Sequence, residues 1–370
     1  MSLSRFIVPE EDELSWIRTL LRGVFDIEDI TTGLMNGHAT RVRGHLLGDP
    51  DQVYDALAPV FRARGRTLLL REAAGQHVLL IIDRAPKLEK NKLLIPALLA
   101  VATVISVLIT YLMFWEGFEG GPGLMAKLGR GIVFTVSLLS ILLAHELGHY
   151  FVARRFGVAV TLPYLIPFPF SPFGTMGAVI RMKDIPPTRR AMLLIGAAGP
   201  LAGLLVDLPI LLLGISLSEV SWLPPGGGYI MEGNSILYGL AKWLIHGTWL
   251  PSKGRDLFLH PIAFAGWAGL LVTSFNLIPA GQLDGGHIAT ALLGNKSRYL
   301  NWAIIACLVL LGFLWQGWFL WAMLIFFFSR AQVEPLNALS KLRPGDILLA
   351  IGLLVLFILT FTPLPMRFVV

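Results

Sequence analysis

The 370-residue chain carries too little charge for a soluble protein of its length. Charged residues make up 15% of it, against about 25% in a typical soluble domain, and its mean hydropathy is +0.69. Charges are common in the first ninety residues, whereas long apolar runs between Leu93 and Thr362 hold almost none. The single cysteine, Cys307, excludes an intramolecular disulfide and a cysteine-cluster metal site. Any metal must therefore be bound by histidine or carboxylate side chains.

Residues 1–85 predict a small, soluble α+β module. Apolar residues recur at helical spacing over 12–25, and 40–47 is typical of a strand. Asp49 or Asp51 could cap the next helix, after which RTLLLRE and HVLLIID flank the turn AAGQ as a hairpin. The N-terminus lacks the apolar core of a secretory signal, so we expect a cytoplasmic module. Its strands carry no aromatic stacking residues, which favours a regulatory or docking role and no nucleic-acid partner.

After a basic linker at 86–92, several apolar segments have the length of bilayer spans. We expect a membrane core at 93–335 and an additional span within 336–370. The predicted spans are about 93–114, 131–153, 191–215, 262–280, 300–314, 317–329 and 346–362. One long tilted helix remains the alternative to the two short spans after residue 300. The predicted fold class is mostly α, a polytopic membrane bundle of about six or seven spans behind the α+β module.

The lysines and arginines between the predicted spans fall mainly on one side. With a cytoplasmic N-terminus, fifteen lie inside and six outside. The positive-inside rule therefore favours seven spans and this orientation in an integral, multi-pass protein, which we expect in a bacterial cell membrane. The net charge of +6 is then a signal of topology, and the basic residues would contact anionic membrane lipids.

The second predicted span ends in AHELGHYF, which holds three ionisable residues, His145, Glu146 and His149. Such residues are costly inside a membrane and usually functional. Positions i and i+4 share a helix face, so the two imidazoles can bind one Zn²⁺. Glu146 follows the first of them and is placed to act on a zinc-bound water. A structural polar cluster between helices is the alternative.

A catalytic zinc ion needs a third protein ligand, and depth separates the two candidate carboxylates. The histidines precede Arg154 by five and nine residues, which places them roughly 7 to 14 Å below the cytoplasmic interface. Asp207 lies seventeen residues after Arg190, at roughly 25 Å and near the opposite face. Asp284 follows an inward-running span that Pro279 should end at a suitable depth. We therefore predict Asp284 as the ligand, and for Asp207 a polar contact or an interfacial position.

Two further polar residues lie near Asp284 in the sequence. Asn276 could hydrogen-bond a substrate carbonyl or the developing oxyanion, or it could satisfy backbone groups that Pro279 frees. His287 could support the metal ligands from behind, although an interfacial histidine is the favoured interpretation.

These motifs resemble those of the site-2 protease family of intramembrane zinc metalloproteases. The resemblance rests on HELGH at the end of one span and N-x-x-P-x-x-x-L-D-G-G in a later one, and it covers roughly 93–330. It implies one catalytic zinc ion and the following roles: His145, His149 and Asp284 as ligands, Glu146 as the catalytic carboxylate and Asn276 as a substrate-binding or polarising residue.

A small-residue motif, GAAGPLAG at 196–203, also matches the family's third core span. Gly199 and Gly203 form a small-xxx-small face, for which we expect a packing role. No PDZ domain is evident, because the stretch 216–260 is short and rich in glycine. In this respect the chain is similar to PDZ-free bacterial and plastid-type members.

The segment between the second and third spans, VTLPYLIPFPFSPFGTMGAVIRMKDIPP, holds prolines that exclude a helix. GTMGAVIRM has strand character, and the family resemblance suggests a re-entrant β element here. An edge strand could hold a substrate segment extended, so we predict substrate binding at Gly174, Thr175, Met176 and Gly177. An ordinary cytoplasmic loop is the alternative.

The predicted function is an intramembrane zinc endopeptidase that hydrolyses peptide bonds within transmembrane segments of substrate proteins. The alternative from another class is a membrane zinc transporter or metal-binding membrane protein, which needs a polar path across the bilayer. Asp207 is the one obvious polar residue that could belong to such a path in the outer half of the bilayer, so the path is incomplete. An inactive scaffold is disfavoured because every catalytic residue type is present.

Overall fold

The computed structural model describes residues 10–83, 93–116, 123–226, 228–329 and 334–369. The predicted basic linker at 86–92 lies outside them. The described residues form two compact units. The smaller unit holds 10–83 together with Pro187–Arg189 and Pro335–Lys341, and the larger unit holds the remaining described residues.

The smaller unit is built on a four-stranded antiparallel sheet with the strand order β1-β2-β4-β3. Its elements in chain order are α1 (Glu10–Leu21), β1 (Phe25–Gly33), α2 (Leu34–Gly37), β2 (Ala39–Leu46), α3 (Pro50–Ala63), β3 (Thr67–Ala73) and β4 (Gln76–Ile82). Ile17 and Leu21 of α1 and Phe61 of α3 are fully buried, as is Leu70 of β3. These apolar faces form the core of the unit because burial removes them from water.

Local sequence signals explain most of these elements. The cap predicted at Asp49 or Asp51 is confirmed at Asp49, whose side chain accepts the backbone N–H groups of Asp51 and Gln52. The strand β1 was not predicted, because its run of acidic and apolar residues does not alternate cleanly. On this edge strand Asp29 pairs with Arg43 of β2 at 3.0 Å.

A distant segment of the chain extends the sheet beside β3. The N–H of Leu70 donates to the carbonyl of Leu336 at 2.8 Å, and the N–H of Ala338 donates to the carbonyl of Leu70 at 3.0 Å. Between them, the buried side chain of Asn337 donates to the carboxylate of Asp51 at 3.0 Å. This segment therefore belongs to the smaller unit although it follows most helices of the larger one in sequence.

Helices dominate the larger unit. In chain order they are α4 (Leu94–Thr110), α5 (Leu124–Arg155), α6 (Arg189–Ser216), α7 (Ile236–His246), α8 (Pro261–Asn276), α9 (Asp284–Leu293), α10 (Ser297–Leu311), α11 (Gly317–Phe328) and α12 (Pro344–Thr360). A π-helix, Tyr111–Glu116, continues α4. By length and composition, α4 with this extension, α5 and α6 can cross a membrane, while α11 and α12 are shorter apolar helices. The mostly helical fold is confirmed, and six or seven spans stay a prediction.

Six short strands pair two by two in the larger unit. They are β5 (Tyr164–Pro167), β6 (Thr175–Val179), β7 (Glu219–Trp222), β8 (Tyr229–Glu232), β9 (Arg255–Phe258) and β10 (Met366–Val369). The antiparallel pairs are β5 with β6, β7 with β9 and β8 with β10. Strand structure was predicted for the first pair. The other four strands and α7 lie in segments for which no secondary structure was predicted.

Close helix approach positions the centre of the larger unit. Phe134 of α5 stacks on Phe264 of α8 with ring centroids 5.2 Å apart. On α6, a Cβ added to Gly214 would lie 2.1 Å from the backbone nitrogen of Ala263. Only a residue without a side chain allows this approach of α6 to α8, as in other helix pairs that pack through small residues. The ionisable residues of α5 lie beside these two helices.

Candidate metal centre

The HELGH segment forms part of the regular helix α5, and its ionisable side chains are buried. His145, Glu146 and His149 are 4%, 7% and 6% exposed. The two imidazoles lie one turn apart on the same face, with ring centroids separated by 4.9 Å. The helical periodicity that the sequence predicts therefore directs two nitrogen ligands toward one point.

Asp284, the first residue of α9, completes this cluster. Its Oδ2 lies 3.1 Å from Nε2 of His145, and its Oδ1 lies 3.1 Å from Nε2 of His149. The two Nε2 atoms are 3.2 Å apart. Three ligand atoms from two helices thus surround one point, and they belong to the three residues that the sequence predicted as zinc ligands.

The sequence around Asp284 forces the chain into this position. Helix α8 ends at Asn276, and α9 begins eight residues later. A Cβ added to Gly285 would lie 2.2 Å from the carbonyl oxygen of Leu277, and one added to Gly286 would lie 2.4 Å from that of Gly281. The two glycines after Asp284 are therefore required where α9 folds back tightly on the end of α8.

The glycine motif of α6 makes room for the imidazoles. A Cβ added to Gly199 would lie 2.0 Å from Nε2 of His149, and one added to Gly203 would lie 3.3 Å from Nδ1 of His145. Nδ1 of His149 is 2.7 Å from the carbonyl oxygen of Ile195 on the same helix. When the Nδ1–H group donates a hydrogen bond to this carbonyl, Nε2 is left with a free lone pair for a metal. Packing was the predicted role of the glycines, and the surface that packs on them is the histidine pair itself.

The spacing and chemistry of these donors fit zinc. Two imidazole nitrogens and one carboxylate are a common catalytic ligand set, and zinc bonds them at about 2.0–2.2 Å. In a tetrahedral site with such bonds, neighbouring donor atoms lie about 3.3 Å apart. The observed separations of 3.1 to 3.2 Å are close to that value. Three protein ligands leave the fourth position for a water molecule.

A cavity of about 210 Å³ adjoins the cluster. Glu146 lines it beside the histidines, and a backbone hydrogen bond links Glu146 to Ile180. Asn276 also lines it, with Nδ2 3.4 Å from Nε2 of His145. His287, for which an interfacial position was favoured, lines the cavity as well. Glu146 and Asn276 therefore line the same cavity as the three predicted metal ligands.

The β5–β6 hairpin lies at this cavity, but the four hairpin residues predicted to bind substrate do not line it. Gly174 has a φ of 73°, and a Cβ there would lie 2.5 Å from the Cα of Val107 on α4. Its carbonyl accepts a hydrogen bond from Ser106 Oγ at 2.6 Å. The side chain of Thr175 is buried, that of Met176 is 63% exposed, and Gly177 has a φ of 96°. Gly174 thus fastens the hairpin to α4.

The hairpin residues that do reach the cavity follow the predicted four. Ala178, Val179 and Ile180 line it, and Gln282 joins them from the α8–α9 connection. Sequence reasoning did not single them out, because apolar residues at the end of a strand give no chemical signal.

Asp207 is neither the interfacial group nor the polar contact that the sequence predicted. Its side chain is 0% exposed, and its two oxygens have no hydrogen-bond partner among the described residues. A Cβ added to Gly269 of α8 would lie 2.8 Å from its Oδ1. The prediction failed because a depth estimate along one helix says nothing about its neighbours, and here α8 covers this face of α6.

The fold and the site together define a helical, apolar protein with an HExxH-type metal centre. In comparisons with known proteins, residues 133–315 match the family model described as Peptidase family M50. This match confirms the resemblance to the site-2 protease family that the motifs indicated. Relatives named as zinc metalloproteases and the donor set make zinc the metal of this centre.

Individual relatives come from plants and from an archaeon. The chain is 36% identical over 246 residues to "Probable zinc metalloprotease EGY2, chloroplastic" of Arabidopsis thaliana. The aligned region covers 64% of this chain and 42% of that protein. The chain is also 27% identical over 202 residues to "Zinc metalloprotease MJ0392" of Methanocaldococcus jannaschii. That aligned region covers 55% of this chain and 46% of the relative. The chain thus spans less than half the length of these relatives. No solved structure matches it.

Proposed function

We propose that the protein is an intramembrane zinc endopeptidase that hydrolyses peptide bonds within transmembrane segments of other proteins. The observation that carries this proposal is the convergence of His145, His149 and Asp284 beside the carboxylate of Glu146 in one buried cavity. A metal site used only for structure would have no need of an additional carboxylate facing an open position.

The proposed mechanism assigns each polar residue of the cavity one task. Bound zinc would polarise the scissile carbonyl and lower the pKa of a water molecule. Glu146 accepts the proton of the attacking water and later delivers it to the leaving amine. Asn276 donates a hydrogen bond from Nδ2 to the substrate carbonyl as negative charge develops on its oxygen. Its position 3.4 Å from the nitrogen of a metal ligand supports this role over backbone satisfaction.

The substrate must be extended at the scissile bond, because helical peptide bonds are shielded by their own turns. The hairpin at the cavity offers a strand for this purpose. β6 is paired with β5 on one side, and no strand of the described chain pairs with its other side. A substrate segment that adds there would pass the cavity at Ala178 to Ile180, beside the metal ligands.

The membrane setting of this activity follows from the charges and the apolar helices. We propose about six or seven spans, a cytoplasmic N-terminus and cleavage near the cytoplasmic side of a bacterial cell membrane, where basic residues contact anionic lipids. The α+β module at 1–85 would then be cytoplasmic, followed by the linker at 86–92, the protease core at 93–335 and a further span within 336–370. A regulatory or docking role suits this module.

The transporter alternative gains no support. A transport path needs a series of polar groups across the bilayer. Asp207, the expected stepping stone, is enclosed between α6 and α8 without a polar partner among the described residues. The relatives named above are zinc metalloproteases, and none of those names describes a transporter.

The test of this function is the substitution Glu146→Gln in purified protein reconstituted with a single-span model substrate. The amide cannot accept the proton of the water, so we expect cleavage to fall by about 10²- to 10⁴-fold while zinc stays bound at one ion per chain. Glu219→Gln is the matched control, since Glu219 is an exposed residue of β7 and does not line the cavity. Substantial residual hydrolysis by Glu146→Gln, with full zinc content, would contradict the proposal.

A further inference from the structure

A second cavity, of about 290 Å³, lies in the larger unit away from the metal centre. We call it the acidic aromatic cavity. It is enclosed by the π-helix after α4, the N-terminal part of α8 and the strands β8, β9 and β10. The aromatic side chains that line it are Tyr111, Trp115, Tyr229, Phe258, Phe264 and Trp267. Its carboxylates are Glu116, Glu232 and Asp256, all of them largely buried.

Two helices, α5 and α8, extend from this cavity to the metal centre. On α5, fifteen residues separate Arg130 at the cavity from His145, which corresponds to about 22 Å. On α8, twelve residues separate Phe264 at the cavity from Asn276, which corresponds to about 18 Å. The hydrocarbon core of a bilayer is about 30 Å thick. A substrate segment cut at one end of these helices could thus have its other end at the cavity.

The charges at the cavity do not balance. Glu116 is paired with Arg130 at 3.5 Å. Glu232 and Asp256 share a single cation, because Nζ of the fully buried Lys242 lies 3.6 Å from an oxygen of each. In these ion pairs three carboxylates share two cations, so the pairs together carry one negative charge in excess. Burial raises the pKa of Glu232, the direction expected when a carboxylate is incompletely compensated.

The aromatic walls favour a positive group on an apolar stem. Trp115 and Phe264 have ring centroids 4.4 Å apart, and Phe264 stacks on Trp267 at 5.7 Å. A cation over such faces is attracted to the ring electrons, most strongly to tryptophan. The lysine or arginine side chain combines a methylene stem with one positive charge, and it matches both the walls and the charge excess.

We propose that the acidic aromatic cavity binds one basic side chain of the substrate, lysine or arginine, at the end of the transmembrane segment remote from the scissile bond. This inference rests on the proposed function, and it adds a rule for substrate choice. The cavity and the metal centre are fixed to the same helices, so the basic residue would set which peptide bond reaches Glu146. The bound cation would complete the charge balance of Glu232 and Asp256.

Binding can be measured without cleavage. The probe is a fluorescent single-span peptide with one lysine at the flank remote from the expected cleavage site, compared with the same peptide carrying uncharged norleucine. The protein is the full zinc-loaded chain with Glu146→Gln, in proteoliposomes. We expect the lysine peptide to bind about tenfold more tightly, the range for a hydrogen bond to a charged partner. Equal dissociation constants for the two peptides would overturn the inference.

Substitutions then test whether the preference for the lysine peptide arises at the acidic aromatic cavity. Added to this background, Glu232→Gln or Asp256→Asn should reduce the tenfold ratio to about one without changing the affinity for the norleucine peptide. Glu219→Gln makes the same chemical change outside the cavity and should leave the ratio intact. Retention of the full ratio in both cavity variants would overturn the assignment of this site.

A cross-linking measurement covers the case in which these variants fail to fold. A benzophenone residue placed next to the lysine should label Met231 or Met366, which line the cavity. Labelling confined to other segments would overturn the inference. Failure of the proposed function would give a different result. A lysine preference with cavity labelling, but no cleavage by the native chain, would support binding at the cavity and contradict the protease activity. In active protein, moving the lysine by four residues should move the cleavage site equally.

Discussion

Asp284 and Asp207 are both carboxylates in the helical unit, and their surroundings differ completely. Asp284 lies at the start of α9, where its oxygens are each 3.1 Å from a histidine nitrogen. Asp207 lies on α6 against Gly269, with no hydrogen-bond partner for either oxygen in the described part of the chain. A carboxylate in an apolar interior is stable when paired or bound to a metal and costly when alone. Asp284 is therefore positioned to bind a metal together with two histidines, whereas Asp207 is an isolated, buried polar group.

The comparison also shows why helical spacing alone could not assign the third ligand. Gly199, Gly203 and Asp207 follow one another at intervals of four on α6, so they share a face. The two glycines contact His149 and His145, and Asp207 is one turn further along. That turn separates a residue beside the metal centre from one beside α8. Depth is decisive here, because a single turn of about 5.4 Å exceeds any zinc–ligand distance.

The largest expected difference between the two carboxylates is in zinc retention. Asp284→Ala should release zinc and reduce cleavage by at least about 10³-fold, because two imidazoles remain where a catalytic site needs three protein ligands. Zinc per chain, measured by mass spectrometry of the metal after dialysis, checks the first effect. Cleavage of a single-span substrate checks the second. Wild-type zinc content in Asp284→Ala would refute its role as a ligand.

An intermediate effect is expected at the glycine that seats His149. Gly199→Ala would place a methyl group 2.0 Å from Nε2 of His149, so the ring must turn away from the metal. We expect zinc affinity to fall by about 10- to 100-fold, as when the support of a metal ligand is disturbed. Gly352→Ala is the control, because Gly352 lies in α12 and an added Cβ meets nothing within 4 Å. Equal zinc affinity in Gly199→Ala and Gly352→Ala would show that the glycine motif of α6 does not position His149 for zinc binding.

The smallest effect is expected at Asp207. Asp207→Asn keeps the shape of the side chain and removes the ionisable group, and no partner among the described residues is lost. We expect zinc content and cleavage to stay within about threefold of wild type, and the free energy of unfolding to change by less than about 1 kcal/mol. Activity and thermal unfolding of reconstituted protein measure both. A loss of activity comparable to that of Asp284→Ala would mean that Asp207 takes part in the reaction.

Much of the metal centre was predictable, because its signals are local in the sequence. His145 and His149 are related by one helical turn, and a proline and three glycines around Asp284 mark the fold-back of the chain. By contrast, the burial of Asp207 depends on Gly269, which is sixty-two residues away in sequence. No pattern within α6 reports that contact. Sequence thus revealed the groups that carry chemistry, while long-range packing decided what surrounds them.

The same distinction applies to secondary structure. The hairpin of β3 and β4 was predicted from a turn flanked by apolar runs. The β5–β6 region was predicted from prolines that exclude a helix, from the strand character of GTMGAVIRM and from the family resemblance. The pairing of β8 with β10 was not predicted, because the two strands are more than 130 residues apart. Each has only four residues, and four residues give too little alternation to recognise.

The most direct test of the central claim is X-ray absorption at the zinc edge, with metal content, on wild-type, Asp284→Asn and Asp207→Asn protein. We predict one zinc ion in the wild type, bound by two imidazole nitrogens and carboxylate or water oxygens at about 2.0–2.2 Å. Asp207→Asn should give the same spectrum and content, whereas Asp284→Asn should show weakened binding and an altered oxygen shell. An unchanged spectrum and zinc content in Asp284→Asn, together with zinc loss in Asp207→Asn, would contradict the account.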